Sequence, residues 1–267
     1  MKMKILAIVT CMWASLAFSS SPGEGAMRPV TKMRAGVPPF EIVEDIMLGN
    51  RKATAAQLPS PSAAIDSPQI TWLADSDARL QPSLVHIAPP DKIYTVRNLG
   101  NQLALSTGAI DYGIRYLFTP VLLITGNTGS EAIRFFMEGY EKLPLSIRQD
   151  LDHLHLPLTA KSGDDDPEMK FEERWLRNIE KNVDFQVDQA LARYSDRIKT
   201  GRLVVVGAIV DFTNQYGYGE RKLVIINLNG ETDPKKIGTT PHLTRLDQKM
   251  RQYVGRAKAE PATAGKK

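Results

Sequence analysis

Runs of mostly apolar residues alternate with amphipathic stretches through the middle of this 267-residue chain. The runs predict buried β-strands, and they are residues 69–74 (QITWLA), 92–97 (KIYTVR), 120–126 (PVLLITG), 202–210 (RLVVVGAIV) and 222–228 (KLVIINL). Helical periodicity is found between them, over 103–118, 129–140 and 168–197. Apolar strands separated by helices indicate a mostly parallel sheet that is covered on both faces. The fold class is therefore predicted to be α/β, with about five central strands flanked by helices and an antiparallel pair at the end.

The first 19 residues are typical of a secretory signal peptide. Lys2 and Lys4 precede an apolar run over 5–18, and small residues follow at Ala17 and Ser19,. The run is short for a transmembrane span. We expect an exported protein, periplasmic or secreted, with no transmembrane span after cleavage; the alternative is an uncleaved membrane anchor.

The chain contains a single cysteine, Cys11, and it lies inside this signal segment. The mature protein is therefore expected to have no disulfide and no thiolate available as a metal ligand.

The remaining organisation is predicted from composition. Residues 20–38 form a flexible Ser/Pro/Gly-rich lead-in, and 39–240 form a single domain that begins with a helical arm over 39–68. Residues 241–267 form a basic tail that is expected to be disordered and not to bind nucleic acid, since the net charge of the chain is only +4,.

Two polar loops follow predicted strands, where α/β proteins usually place their ligands. The first contains Asp75, Asp77 and Arg79, at alternate positions after the first strand. The second is Gly126-Asn127-Thr128-Gly129-Ser130. A phosphate cradle is one interpretation of the second loop, but it lacks the lysine and the spacing of a P-loop. A tight strand-to-helix turn is the simpler interpretation.

Together the two loops resemble those of β-class carbonic anhydrases, which carry Cys-x-Asp-x-Arg after the first strand and His-x-x-Cys after a later one. Further segments are similar in the same order, namely Gly49-Asn50-Arg51, Arg97-Asn98-Leu99-Gly100-Asn101, and Gly201 to Asp211. The resemblance covers about 40–230 and implies the β-carbonic-anhydrase fold, with N-terminal arms that wrap a partner subunit in a homodimer.

The resemblance also implies that the zinc-ligand positions of the family are altered in this chain. In the family, two thiolates and one imidazole hold Zn²⁺, and the metal activates a water that attacks CO₂. Asp75, Asn127 and Ser130 stand at those three ligand positions here. One carboxylate and two neutral oxygen donors are poor substitutes for such a set. We therefore expect no zinc and no other cofactor.

Two interpretations of the altered positions are open. Asp75, Asp77, Asn127 and Ser130 form an oxygen-rich set of the kind that holds Mg²⁺ or Ca²⁺ loosely, but such sites usually recruit more carboxylates. The alternative is a metal-free polar cluster, in which Asp75 accepts hydrogen bonds from Ser130 and from the Asn127 amide.

The Asp77–Arg79 dyad is the catalytic pair that the resemblance carries over, and without zinc it has no metal-bound hydroxide to orient. It is either an ion pair that bridges the loop or part of a bicarbonate site formed by Arg79 with the Gly129 and Ser130 amides. Asp75 opposes the second option, since a carboxylate repels an anion.

The four histidines, His86, His153, His155 and His242, offer no obvious replacement ligand. His153 and His155 lie close together in a loop-like stretch and are interpreted as surface residues.

The leading functional hypothesis is an exported, zinc-free homologue that acts by binding bicarbonate or a protein partner, for example an active relative. The alternative is an enzyme that hydrates CO₂ by a non-zinc or atypical-metal mechanism, with Asp75 or Asp77 as general base. Hydrolysis with Ser130 as nucleophile has weak support, because no histidine is paired with it in the sequence.

Overall fold

The structure is a computed structural model that describes residue 47 and residues 68–86, 92–159, 169–240 and 253–257. The chain divides into two compact units, 1–60 and 61–267, and the fold given below is that of the second unit. The predicted signal segment, the lead-in, almost all of the arm and most of the tail lie outside the described residues. No helix in the described part of the chain is long and apolar enough to cross a bilayer.

One five-stranded sheet forms the centre of the unit, and its strand order is β2-β1-β3-β4-β5. The strands are β1 (Ile70–Asp75), β2 (Ile93–Asn98), β3 (Val121–Asn127), β4 (Val204–Asp211) and β5 (Lys222–Leu228). Strands β1 to β4 run parallel to one another, whereas β5 runs antiparallel to β4. The predicted fold class, a mostly parallel sheet with an antiparallel edge pair, is confirmed.

Seven α-helices lie in the described ranges. They are α1 (Thr107–Asp111), α2 (Glu131–Glu138), α3 (Leu145–Asp152), α4 (His155–Leu158), α5 (Phe171–Arg193), α6 (Ser195–Lys199) and α7 (Pro234–Gly238). The helix predicted over 103–118 is interrupted: a 3₁₀ turn precedes α1, and a π-helical turn, Tyr112–Tyr116, follows it.

The stretch around His153 and His155 was predicted to be loop-like, and this is wrong at its end, because α4 begins at His155. Pro157 is compatible with this helix. It lies in the first turn of α4, where a missing backbone N–H costs no intrahelical hydrogen bond.

The long helix α5 packs directly against the middle of the sheet. Val183 and Val187 are fully buried. A Cβ on Gly126 of β3 would lie 2.8 Å from Cγ2 of Ile179, and one on Gly207 of β4 would lie 2.9 Å from Cγ2 of Val187. The two glycines therefore set the close approach of helix and sheet, and this contact fixes the end of β3 where the site lies.

Five residues of the basic tail, 253–257, pack beside β5. Ile225 N–H donates to the Tyr253 carbonyl (3.0 Å), and Gly255 N–H donates to the Ile225 carbonyl (3.0 Å). Arg256 also pairs with Asp184 of α5 at 2.5 Å. Strand-like pairing and an ion pair thus hold 253–257 in place, whereas 241–252 and 258–267 lie outside the described residues.

Candidate functional site

The polar site lies at the carboxyl edge of the sheet, where β1 and β3 are adjacent. Ala74 pairs with Thr125 in this register, so Asp75 at the end of β1 and Asn127 at the end of β3 reach the same edge. Ser130 precedes α2 directly. The fold thus brings together the residues that the sequence singled out, namely Asp75, Asp77, Arg79, Asn127, Gly129 and Ser130.

Asp75 is the buried centre of the site, with 3% of the residue exposed. Its Oδ1 accepts hydrogen bonds from the N–H groups of Ser76 (2.7 Å) and Gly100 (2.9 Å), and its Oδ2 accepts one from the Ser130 hydroxyl. Burial raises the pKa of the Asp75 carboxyl above its ordinary value, and these hydrogen bonds only partly offset that effect,. Asp75 therefore links the end of β1, the turn at Gly100 and the start of α2.

Asp77 and Arg79 form a bidentate ion pair at the mouth of the site. Arg79 Nε lies 3.0 Å from Asp77 Oδ1, and Arg79 Nη2 lies 2.5 Å from Oδ2. Nη2 also donates to the Gly129 carbonyl (3.3 Å), and the guanidinium carbon lies 4.4 Å from the centre of the Phe212 ring. Burial raises the pKa of Asp77, but the Arg79 hydrogen bonds and charge outweigh burial and hold that pKa below its ordinary value,. The Arg79 guanidinium therefore stabilises Asp77 as an anion.

Asn127 is fully buried and donates through Nδ2 to Asp77 Oδ2 at 2.9 Å. The expected hydrogen bond from the Asn127 amide to Asp75 is therefore wrong, whereas the one from Ser130 to Asp75 is present. Asp75 already receives two backbone donors, and the ionised Asp77 is the stronger acceptor. Asn127 Oδ1 is buried and has no hydrogen-bond partner in the structure as described.

Two supporting contacts were not among the predicted site residues. The Thr128 hydroxyl accepts from Phe212 N–H (2.7 Å) and donates to Asp211 at the end of β4 (3.3 Å). The Trp175 indole N–H donates to the Ser130 carbonyl (3.0 Å). Asp211 ends a buried strand at the same sheet edge, which is a usable sequence signal. Trp175 lies on α5 and carries no such signal.

A cavity of about 580 Å³ opens beside Asp75 and Asp77. Its apolar walls come from three helices and include Phe135 of α2, Ile147 of α3 and Trp175 of α5. Asn127 and Ser130 are buried and do not line it. Since Ile147 and Trp175 are distant from the polar loops in sequence, the motifs gave no indication of the cavity.

The histidines with described positions do not join the site. His155 Nε2 lies 2.8 Å from the Tyr140 hydroxyl, which also donates to Asp152 (2.7 Å), and the His155 ring packs edge-on against Phe136. His242 lies outside the described residues. Among the described ranges, no group of three His, Cys, Asp or Glu side chains is placed to hold a metal ion.

A protein-family model described as carbonic anhydrase matches residues 70–217, which is more than half of the chain and includes every residue of the polar site. This chain belongs to the β-class carbonic anhydrase family. The carbonic anhydrase fold expected from the two loop motifs is therefore confirmed. No curated protein sequence matched the chain.

Solved carbonic anhydrases have the same fold at low sequence identity. A tetrameric β-carbonic anhydrase from Sordaria macrospora is 18% identical, with a TM-score of 0.56 over 69% of this chain and 94% of the other. A Coccomyxa β-carbonic anhydrase in complex with acetazolamide is also 18% identical, with a TM-score of 0.56 over 76% and 91%. The β-carbonic anhydrase CcaA is 16% identical, with a TM-score of 0.58 over 70% and 88%.

The raised pKa of Asp75 predicts a specific pH dependence of stability. A folded protein that holds the Asp75 proton more tightly than the unfolded chain loses stability as pH rises from the ordinary aspartate pKa to the raised one,. Asp75→Asn removes this titration. We expect the free energy of unfolding of the wild type, measured relative to Asp75→Asn, to fall with rising pH over that window.

Urea unfolding of both proteins across acid pH measures this difference. Asp77, whose pKa is lowered, gives the opposite slope, but it is present in both proteins and cancels. A difference that rises with pH would show that Asp75 is stabilised as the anion.

Proposed function

We propose that this carbonic anhydrase homologue binds a ligand in the cavity beside Asp75, holds no zinc and does not catalyse ordinary CO₂ hydration. One observation carries the proposal: the Asp75 carboxylate, at the position where the resemblance places a zinc thiolate, is buried and accepts three hydrogen bonds. Those donors take up three of the roughly four lone-pair sites of the carboxylate, so no more than about one is left for a metal ion.

The side chains at the three former ligand positions do not fit zinc. Zinc sites in proteins are built from Cys sulfur, His nitrogen and carboxylate oxygen, and this family uses two thiolates and an imidazole. Here the Asn127 amide directs its N–H₂ group, which cannot bind a cation, at Asp77. The Ser130 hydroxyl is a neutral donor that is already bonded to Asp75. Of the three positions, only Asp75 supplies a group of the kind that zinc binds in proteins.

An oxygen-ligand site for Mg²⁺ or Ca²⁺ is opposed by the same contacts. Ca²⁺ takes about six to eight oxygen ligands, and Mg²⁺ takes about six, of which several are usually water and one or two are carboxylates free to bind it. Asp77 already accepts from Arg79 and Asn127, so a guanidinium occupies the position of a counter-cation. We therefore propose the metal-free polar cluster.

The second candidate function is CO₂ hydration with Asp75 as general base. It is favoured by the raised pKa of Asp75, because a base that is poised nearer neutral pH is more effective,. It is opposed by the three donors that stabilise the Asp75 anion and by the absence of a Lewis acid from this proposal, which removes several kcal/mol of transition-state stabilisation.

The remaining proposals concern where the protein is located, whether it forms oligomers and what else it binds. The signal-like segment over 1–19 supports export to the periplasm or beyond. The tetrameric Sordaria relative supports a homo-oligomer. A different protein, for example an active relative, is a second candidate for what this chain binds. Bicarbonate held by Arg79 and the Gly129–Ser130 turn is a further candidate ligand.

Metal analysis combined with stopped-flow CO₂ hydration tests this proposal. We expect purified wild-type protein to contain no stoichiometric zinc and to hydrate CO₂ at the buffer rate, with an active β-class enzyme measured in parallel. Turnover that disappears in Asp75→Asn would establish the second candidate instead. Turnover that disappears on chelation would show that a metal site is present after all.

A further inference from the structure

We propose that residues 253–257 form a releasable strap, which holds the loop between β4 and β5 (residues 212–221) in the position that supports the polar site. Because the strap acts on the same site, this inference rests on the proposed binding function and names a form of its regulation.

The strap is attached to β5 by few contacts within the part of the chain that the structure describes. Ile225 of β5 makes both backbone hydrogen bonds: its N–H donates to the Tyr253 carbonyl, and its carbonyl accepts from the Gly255 N–H, each at 3.0 Å. The Tyr253 ring also packs edge-on against Tyr218 of the loop, with ring centres 5.4 Å apart. Of the five strap residues only Gly255 is buried. Segments held in this way open locally at a lower free-energy cost than global unfolding.

Glu180 of α5 joins the strap to the loop. Its Oε1 accepts hydrogen bonds from the Ala257 N–H of the strap (3.0 Å) and from the Tyr216 hydroxyl of the loop (2.7 Å). Arg256 lies 3.5 Å from Glu180 Oε2 and pairs with Asp184 at 2.5 Å. Burial raises the pKa of Glu180, and the Ala257 N–H and the Arg256 charge counteract burial. Release of the strap therefore favours the neutral acid, which is a weaker acceptor for Tyr216.

The loop in turn supports the polar site. Tyr216 N–H donates to Asp211 at the end of β4 (2.9 Å), and Phe212 N–H donates to the Thr128 hydroxyl (2.7 Å). The Phe212 ring lies against the Arg79 guanidinium, whose carbon is 4.4 Å from the ring centre. A detached strap therefore loosens the segment that backs Arg79 at the mouth of the cavity.

Hydrogen exchange of the full chain, followed residue by residue by NMR, tests this coupling. Arg256→Ala removes the cation of the strap, and we expect the Ile225 and Gly255 amides to exchange about five- to tenfold faster, because strap hydrogen bonds protect them,. The Thr213 and Tyr216 amides, which donate to Thr128 and Asp211, should exchange about two- to threefold faster. Rates are taken relative to the β3 amides of the same protein, so a uniform loss of stability cancels.

Two further variants serve as controls. Arg115→Ala removes a comparable ion pair, with Asp196, that lies outside the strap and the loop, and it should change none of these relative rates. Arg256→Lys keeps the positive charge and should restore most of the protection at Ile225 and Gly255.

Two results would overturn the inference. The first is unchanged relative exchange at Ile225 and Gly255 in Arg256→Ala, which would mean that the cation does not hold the strap. The second is faster exchange there without any change at Thr213 and Tyr216, which would mean that the strap is not coupled to the polar site. Neither result bears on zinc content or CO₂ turnover, which test the proposed function independently.

Discussion

The triple variant Asp75→Cys/Asn127→His/Ser130→Cys is expected to bind one zinc ion per chain, whereas the wild type binds none. The reason is geometric. Ser130 is in direct hydrogen-bonding contact with Asp75, and Asn127 lies at the end of the neighbouring parallel strand. Side chains at these positions therefore converge, and two thiolates with an imidazole form a set that zinc prefers.

The expected affinity is high. Structural zinc sites contribute apparent free energies of about 10–16 kcal/mol near neutral pH, and about 12 kcal/mol corresponds to a nanomolar Kd. Zinc at about 1,000 times its Kd would add about 4 kcal/mol to the stability of the variant. For a domain of this size that raises Tm by roughly 10 °C. Metal analysis after dialysis and a thermal melt with added zinc give the two readouts.

The control for this variant is Asp75→Cys/Ser130→Cys with Asn127 retained. It has two ligands instead of three, so we expect zinc to be lost on dialysis. If the triple variant has the circular dichroism spectrum of the wild type and still binds no zinc, then the three positions do not form the frame of a metal site.

Asp75→Ala is expected to be about 2–4 kcal/mol less stable than Asp75→Asn. Both substitutions remove the charge, so their difference isolates the hydrogen bonds. Asparagine keeps an acceptor for the N–H groups of Ser76 and Gly100, and its amide can donate to Ser130. Alanine leaves these donors without an acceptor, and each buried unsatisfied donor costs about 1–3 kcal/mol. The corresponding loss in Tm is roughly 10 °C.

Chemical denaturation of both variants at one pH measures this effect. The slope of the free energy against denaturant concentration should be the same for the two proteins, which would show that only stability has changed. Equal stabilities would mean that water from the adjacent cavity replaces the Asp75 carboxylate as acceptor.

Local sequence patterns were sufficient to place the strands. Each of the five runs matched a strand to within one or two residues. The central strands β1, β3 and β4 are apolar almost throughout because they are buried on both faces,. Helix α3 was not predicted, because Leu145–Asp152 is short and largely polar, with only Leu151 fully buried. Strand order was not predicted either, since pairing depends on contacts between residues far apart in the chain.

The polar site was likewise predicted only in part from the sequence. The sequence showed that Asp75, Asp77, Arg79, Asn127 and Ser130 follow strand ends, and strand ends of a parallel sheet share one edge. It did not show which of the two carboxylates would accept the hydrogen bond from the Asn127 amide. That depends on Arg79, which keeps Asp77 ionised, and on Gly100, whose N–H already donates to Asp75.

The sequence by itself determined the fold family and the chemical groups at the carboxyl edge of the sheet, because these follow from short motifs and from apolar periodicity. Only the tertiary structure decided that Asp75 is buried and accepts three hydrogen bonds, and that helices α2, α3 and α5 line a cavity beside it. The physical reason is that burial and enclosure are properties of long-range packing. They arise when the fold brings residues that are remote from Asp75 in the chain, such as Phe135 and Trp175, to the same cavity.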